Sequence, residues 1–341
     1  MKFSKRHIFS LLMVIIVAFF LSSYKLPYYI QKPGGADALN PIVEVVDGYE
    51  SEGDMHLVTI SGGQATPLQY IWAKILPHSE ILPLEVVRPE GVSDEEYMQA
   101  QLQMMENSQE ASIVVAYEAA NKDITIEYNG VYVVSVVEGM PADGKLQMAD
   151  RIIGIDGNEI NEADDLINYV ENKQAQDVIT LDVVREEETI KKDVTLEQFA
   201  DMDNKIGIGI RLVTDRSVSV NPEVRFSSGR IGGPSAGLMF SLEIYDQLLE
   251  NDLTKGYEIA GTGEIDYNGK VYRIGGIDKK IVAADKEDVD IFFAPNEDGS
   301  EDSNYQVAKK TAEEIETDMK IVPVDTFEDA MNYLEKLESK K

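Results

Sequence analysis

Two side chains set in glycine-rich turns are the groups in this chain best suited to acyl transfer: the hydroxyl of Ser235 and the amine of Lys280. Ser235 stands in Gly229-Arg230-Ile231-Gly232-Gly233-Pro234-Ser235-Ala236-Gly237-Leu238, where glycine and proline force a tight turn. Leu238, Met239, Leu242, Tyr245 and Leu249 then follow helical spacing. Ser235 is therefore expected in the first turn of an amphipathic helix, where backbone N–H groups lack partners and the dipole is positive. Negative charge developing on a carbonyl attacked by this hydroxyl would be stabilised there. A serine in that place is equally suited to capping the helix.

Lys280 lies in Tyr272-Arg273-Ile274-Gly275-Gly276-Ile277-Asp278-Lys279-Lys280-Ile281-Val282-Ala283-Ala284. The glycine pair breaks a strand, Asp278 can cap, and a helix begins on which Ile277, Ile281 and Ala284 form one stripe. Lys280 adjoins that stripe, whereas Lys279 points with Val282, Ala283 and Lys286 in a more solvated direction. An amine against an apolar wall loses solvation of its charged form. To be neutral near neutrality its pKa must fall by ~3 from ~10.4, a differential solvation of roughly 4 kcal/mol. Only the neutral amine can take a proton from a serine hydroxyl. An isolated lysine is more often a solvated surface group.

Other chemistries lack their residues. There is no cysteine, and the three histidines (His7, His56 and His78) all lie in the first half of the chain. This excludes thiol catalysis and cysteine-ligated zinc, and leaves no HExxH site; no metal and no cofactor is expected. Gly261-Thr262-Gly263 and Asn268-Gly269-Lys270 do not have the GxxxxGK[ST] spacing, and Val271 stands where a hydroxyl residue is needed, so no nucleotide partner is expected. A formal net charge of −31 argues against nucleic acid.

The elements that must position the two groups read as follows. Lys2, Lys5 and Arg6 precede a run from Ile8 to Tyr24 without formal charge. This marks a membrane-spanning signal anchor with its N-terminus cytoplasmic and the rest exported; the competing reading is a cleaved signal peptide, to whose cleavage site Leu21-Ser22-Ser23 is a poor fit. Tyr24, Tyr28 and Tyr29 fall where an interfacial aromatic belt belongs. Pro33-Gly34-Gly35 reads as a linker, followed by strands over 42–46 and 56–60. Ser93-Asp94-Glu95-Glu96 starts a helix with a Met98, Leu102, Met105 stripe, taken as packing surface rather than a ligand groove. Short strands follow: 131–134, 151–155, a hairpin through Asp156-Gly157 into 158–160, a helix over 163–172, then 178–184 and 191–196.

Tyr128-Asn129-Gly130-Val131-Tyr132-Val133, Leu146-Gln147-Met148-Ala149-Asp150-Arg151-Ile152 and Ile155-Asp156-Gly157 resemble a bacterial PDZ domain. The resemblance implies that Asn129, Gly130, Val131 and Tyr132 form the loop whose backbone N–H groups capture a peptide's carboxyl terminus. The family usually has Gly-Asp where this chain has Ala149-Asp150.

Pro234-Ser235-Ala236-Gly237, Thr262-Gly263-Glu264-Ile265 and Gly275-Gly276-Ile277-Asp278-Lys279-Lys280, in that order and with Lys280 45 positions after Ser235, resemble the proteolytic domain of the Lon family. The resemblance implies Ser235 as nucleophile, Lys280 as general base and Thr262 as a supporting hydroxyl. An oxyanion is expected to be held by backbone N–H groups around Pro234–Ala236, with Pro234 excluded because it has no N–H, and Gly233 and Ala236 are expected as supporting residues. Together with the anchor and the PDZ-like segment, the chain resembles exported peptidases of low-GC Gram-positive bacteria. Members of that group trim secreted signalling peptides or degrade membrane-linked regulators.

The expected fold is therefore α+β. Its parts are a cytoplasmic tip and transmembrane helix (1–30), an extracellular α/β region without readable chemistry (31–115), a PDZ-like β-rich domain (116–198) and a Lon-type domain (199–341). Expected partners are peptides or unfolded proteins and the membrane, and the family resemblance allows a homo-oligomer. The rival reading is a catalytically silent, membrane-tethered scaffold using the PDZ-like groove alone. The presence of both Ser235 and Lys280 in their motifs argues against it.

Overall fold

Helix α1 (Lys5–Ser23) opens the chain in the computed structural model, which describes residues 5–88, 93–199 and 205–340. Lys2 of the basic cluster lies outside the described residues. Apolar all round, with mean hydropathy 2.0, α1 is long and apolar enough to cross a membrane, and none of its described side chains is buried in the protein. The next segment gives β1 (Tyr28–Ala38), β2 (Val43–Val45), β3 (Met55–Gln64), α2 (Pro67–Ala73), β4 (Glu80–Pro83), α3 (Leu84–Val87) and α4 (Asp94–Ala119). The stretch expected as a linker is instead a bulge in β1 between Pro33 and Ala36, opposite β3. Gly34 approaches Thr59 so closely that a Cβ would lie 2.5 Å from its carbonyl oxygen, and proline can donate no ladder bond.

The middle of the chain forms a separate unit, Ile124–Ser219. It contains β5 (Asp123–Val136), β6 (Arg151–Ile155), β7 (Asn158–Glu159), α5 (Ala163–Glu171), β8 (Val178–Arg185), β9 (Glu188–Thr195), β10 (Glu197–Phe199), β11 (Lys205–Gly207) and β12 (Ile210–Asn221). The sheet order is β12-β5-β6-β8-β9, with β7 paired to β6. Alternate residues Val131, Val133, Ile152, Ile179, Leu181, Val183 and Val194 fill the core together with Leu166 of α5. The β6–β7 hairpin turns at Asp156 and Gly157, both at positive φ (48° and 84°), as the Asp-Gly pair predicts. This unit differs from the expected 116–198: α4 runs on to Ala119 in the other unit, and β12 adds a strand beside β5.

The last segment supplies β13 (Val224–Phe226), α6 (Gly237–Leu248), β14 (Ile259–Gly261), β15 (Glu264–Ile265), β16 (Val271–Tyr272), α7 (Ile277–Asp285), β17 (Ile291–Pro295), α8 (Asn304–Ile315), β18 (Lys320–Val324) and α9 (Phe327–Glu335). It shares one six-stranded sheet with the first segment, in the order β18-β17-β14-β3-β1-β4. β18, β17, β14 and β3 run parallel, and β1 and β4 complete the sheet antiparallel. The region expected as a separate domain over 31–115 is thus half of this sheet. Ala260 and Phe292 face Ile281 and Ala284 of α7 and Ala308 of α8. Gly261, on the opposite face by strand alternation, lies against Met239 of α6. The sheet therefore holds α6 and α7 on its two sides.

Candidate active site

The turn before α6 is fixed by backbone. Ser235 precedes the N-cap residue Ala236, which makes no side-chain cap bond. The Ser235 carbonyl accepts the Gly263 N–H at 3.0 Å and the Thr262 hydroxyl at 2.9 Å, and Leu238 N–H donates to Gly263 O at 3.1 Å. Ser235 thus lies just outside the helix rather than in its first turn. Its hydroxyl does not cap the helix; Oγ lies 2.7 Å from Lys280 Nζ.

Lys280 arrives from the other side of the sheet on α7. Gly276, in the left-handed conformation at φ 66°, is the N-cap, and Asp278, expected as the cap, is the second helical residue. Lys280 is 3% exposed, and burial pushes its pKa down to about 7. Nζ donates to Thr262 Oγ1 at 2.8 Å. Because the single Thr262 proton goes to the Ser235 carbonyl, that oxygen can only accept from the amine. A neutral Lys280 therefore spends an N–H on Thr262 and keeps its lone pair for the Ser235 proton.

Lys279 is not solvated as its helical position suggested. It is 2% exposed and its amine donates to Glu80 of β4 at 2.6 Å and to Asp278 at 3.2 Å. Successive lysines are both buried because α7 is enclosed by β1 and β3 as well as by α8.

Ser235 and Lys280 open into a cavity of about 620 Å³. Its walls come from β1 and β3 (Tyr29, Gln31, Leu57, Ile60), from α4 (Tyr97, Met98, Gln101, Met105) and from the Arg230–Ala236 turn. No histidine lines it among the described residues; His56 is hydrogen-bonded to Glu258 at 2.6 Å. Glu264 also lines it, and burial pushes that carboxyl up.

Residues 31–115, read as carrying no chemistry, thus supply much of the site. The Met98/Met105 stripe lines the cavity as well as packing. Gln101 O accepts the Gly233 N–H at 2.8 Å, with Gly233 at φ 92°. Ser108 Oγ donates to Pro234 O at 3.0 Å and Ser112 Oγ to Gly237 O at 2.9 Å. The legible signal was two hydroxyls four residues apart on a face that includes Met105 and Ala111. The engaged Gly233 N–H is a poor fit to its expected supporting role. Ser235 and Ala236 N–H donate to no backbone carbonyl among the described residues.

Asn129, Gly130, Val131 and Tyr132 are not a loop. They lie within β5, where Val131 and Tyr132 pair with Ile152 and Arg151 of β6. The alternation of Ile124, Ile126 and Tyr128 carries the strand through them, and Gly130 absorbs the irregularity at φ 109°. Ala149, in place of the usual glycine, takes φ 74°. Asp150 beside it is buried and holds Arg185 through two bonds of 2.7 Å.

A serine hydroxyl against a buried amine with no carboxylate partner among the described residues is the arrangement that nucleophilic catalysis by a Ser–Lys pair requires. Residues 220–336 match the Lon protease (S16) C-terminal proteolytic domain, and residues 98–196 match a PDZ domain, a match that begins inside α4. The chain therefore carries the proteolytic domain of a Lon-type serine endopeptidase and a PDZ domain. It is 33% identical to a Lon protease of Campylobacter jejuni over 137 residues, covering 38% of this chain and 16% of that one. It is 29% identical to a Lon protease of Metamycoplasma arthritidis over 153 residues, covering 45% and 17%. The chain spans about a sixth of the length of these curated relatives. Among solved structures, the PDZ domain of an SdrC-like protein from Listeria monocytogenes is 34% identical, covering 25% of this chain and 90% of that one with a TM-score of 0.24. A solution structure from Geobacillus thermodenitrificans is 39% identical, covering 24% and 94% with a TM-score of 0.23.

Proposed function

We propose that the protein is a membrane-anchored serine endopeptidase that works without ATP on exported peptides or membrane-linked regulatory proteins. The observation that carries this reading is the buried Lys280 amine, 2.7 Å from Ser235 Oγ, with its pKa brought down to about 7. Neutral Lys280 takes the Ser235 proton as Oγ attacks the scissile carbonyl. The oxyanion is met by the free N–H groups of Ser235 and Ala236 at the start of α6. Lys280 then gives its proton to the leaving amine, and water, activated by the same amine, releases the acyl-enzyme. Thr262 orients the amine through the 2.8 Å bond.

Helix α1 supports anchoring by its length and apolarity, and the basic residues before it support a cytoplasmic N-terminus with the catalytic unit outside. Without a Walker A loop in the sequence, the enzyme draws on flexible or already unfolded segments, which the PDZ domain helps to present. The test is hydrolysis of unfolded casein by wild type, Ser235→Ala and Lys280→Ala. Loss of turnover in both variants is expected; equal activity in all three would leave only the scaffold reading.

A further inference from the structure

Helix α2 and the turn after it expose Leu68, Ile71, Trp72, Ile75 and Leu76, with Ile75 at 69% and Trp72 at 54%. Five large apolar side chains exposed within nine residues form a patch that needs a partner. The backbone beneath it is well made: Thr66 and Gln69 form a capping box and Pro67 opens the helix.

Two independent observations point to the same partner. The first is continuity with the anchor. The chain leaving α1 is stitched to the residues just ahead of α2: Leu26 N–H donates to Ala65 O at 2.8 Å, Gln64 Nε2 to Leu26 O at 2.9 Å, and Ala65 N–H to Tyr28 O at 2.8 Å. Tyr28 and Tyr70 lie ring to ring at 5.0 Å, and Lys74 sits over the Tyr70 ring at 4.8 Å. Tyrosine, tryptophan and lysine in this arrangement are the residues that settle at a headgroup boundary. The second is charge. Of the 62 acidic residues in the chain, none falls between Met55 and Ser79 and none before Asp37. In a molecule of net charge −31, the anchor, the strand leaving it as far as Ala36, and the whole of β3 and α2 thus carry no acid that an anionic bilayer would repel; Glu85 of α3, next to Leu84 whose N–H donates to Pro27 O at 3.2 Å, is an exposed acid on the neighbouring edge.

We propose that α2 and residues 75–76 lie in the headgroup region of the bilayer, as a second membrane contact beside α1; this rests on the anchoring reading given above. One helix alone leaves the attached domain free to swivel, whereas two contacts fix its tilt. Ile60 and Gly62 of β3 line the Ser235 cavity, so the cavity is held within a few strand residues, about 13 Å, of Gln64 beside the anchor.

Trp72 is the single tryptophan of the chain, so its emission reports this surface directly. The full chain is reconstituted into phosphatidylglycerol–phosphatidylcholine vesicles, floated, and its emission compared in plain lipid, in lipid brominated near the headgroup and in lipid brominated at the chain ends. Headgroup-side bromine should quench Trp72 about twofold, more than the deep bromine does. Ile71→Gln with Ile75→Gln should float as wild type and lose most of that quenching. A chain that fails to float overturns the anchoring and this inference with it. A chain that floats with Trp72 unquenched overturns this inference alone, as does emission already blue-shifted in detergent and insensitive to bromine, which marks contact with a second copy.

Discussion

The two sides of α7 place neighbouring lysines in opposite surroundings. On one side Lys279 is buried beside two carboxylates, Glu80 and Asp278. On the other Lys280 is buried beside two hydroxyls, Ser235 and Thr262, whose oxygens carry no compensating charge. Burial is equal, at 2% and 3% exposed; the partners decide what the amine can do. A carboxylate neutralises the ammonium in place, whereas hydroxyls leave desolvation unopposed and bring the pKa of Lys280 down to about 7. The difference separates a lysine held as a charged partner of carboxylates from one whose amine can be neutral, with its lone pair available, near pH 7.

The sharpest break of that comparison is Lys280→Met against Lys279→Met. Lys280→Met should lower kcat at least ~10³-fold, because among the described residues no other group hydrogen-bonded to Ser235 Oγ can take its proton. Lys279→Met should retain turnover within a few-fold. Its loss leaves Glu80 half exposed and free to rehydrate, so stability should change by no more than about 1 kcal/mol. If Lys279→Met abolished turnover and Lys280→Met did not, the assignment of roles would be reversed.

Lys280→Met should also be the more stable protein. A lysine whose folded pKa is lowered binds fewer protons folded than unfolded between about 7 and the ordinary value, so wild-type stability rises with pH across that window. The penalty of burying Lys280 is largest below about pH 7, and between pH 6 and pH 9 the advantage of Lys280→Met should shrink by roughly 2–3 kcal/mol. Denaturant midpoints at the two pH values measure it, and an advantage that grows with pH would refute the lowered pKa. In the wild type, kcat/KM should climb with pH through about 7 as the free amine appears.

Thr262→Val removes both the acceptor for the Lys280 amine and the donor to the Ser235 carbonyl. Turnover should drop about 10- to 100-fold with KM little changed, since the loss is of alignment rather than of a substrate contact. A rise in KM alone would place Thr262 in substrate binding instead.

What the sequence made legible follows from how local each signal was. The Pro234–Gly237 turn, Gly275-Gly276 before α7 and Thr262 between them are short motifs whose backbone demands show in residue type. The Asp156-Gly157 hairpin and the apolar run of α1 are equally local. The half-sheet made by β1, β3 and β4 was not legible, because β3 pairs with β14 some two hundred positions away (His56 meets Glu258 at a separation of 202). Lys279 was misread for the same reason: Glu80 lies 199 positions distant, and helical periodicity alone gives no sign of it. Asn129–Tyr132 differs in another way: the strand expected over 131–134 is present in β5, and it begins well before that, at Asp123. The motif was local, but the alternation running from Ile124 made a continuous strand where a loop was expected.

The smallest of these effects bears on the part of the site that was least visible. Ser108, on α4, is 4% exposed and its hydroxyl donates to Pro234 O at 3.0 Å, one residue before Ser235. α4 and α6 approach so closely that a Cβ on Gly237 would lie 2.8 Å from Ser108 Oγ, so the hydroxyl sets the seat of the turn. Ser108→Ala leaves the carbonyl without that donor and should cost about 1 kcal/mol of stability. The turn then relaxes by tenths of an ångström, enough to lower kcat a few-fold, by about 3- to 10-fold, with KM held. Restoration by Ser108→Thr, which keeps the donor, would tie the loss to the hydrogen bond. If Ser108→Ala lost stability with kcat untouched, α4 would be packing for α6 and no part of what positions Ser235.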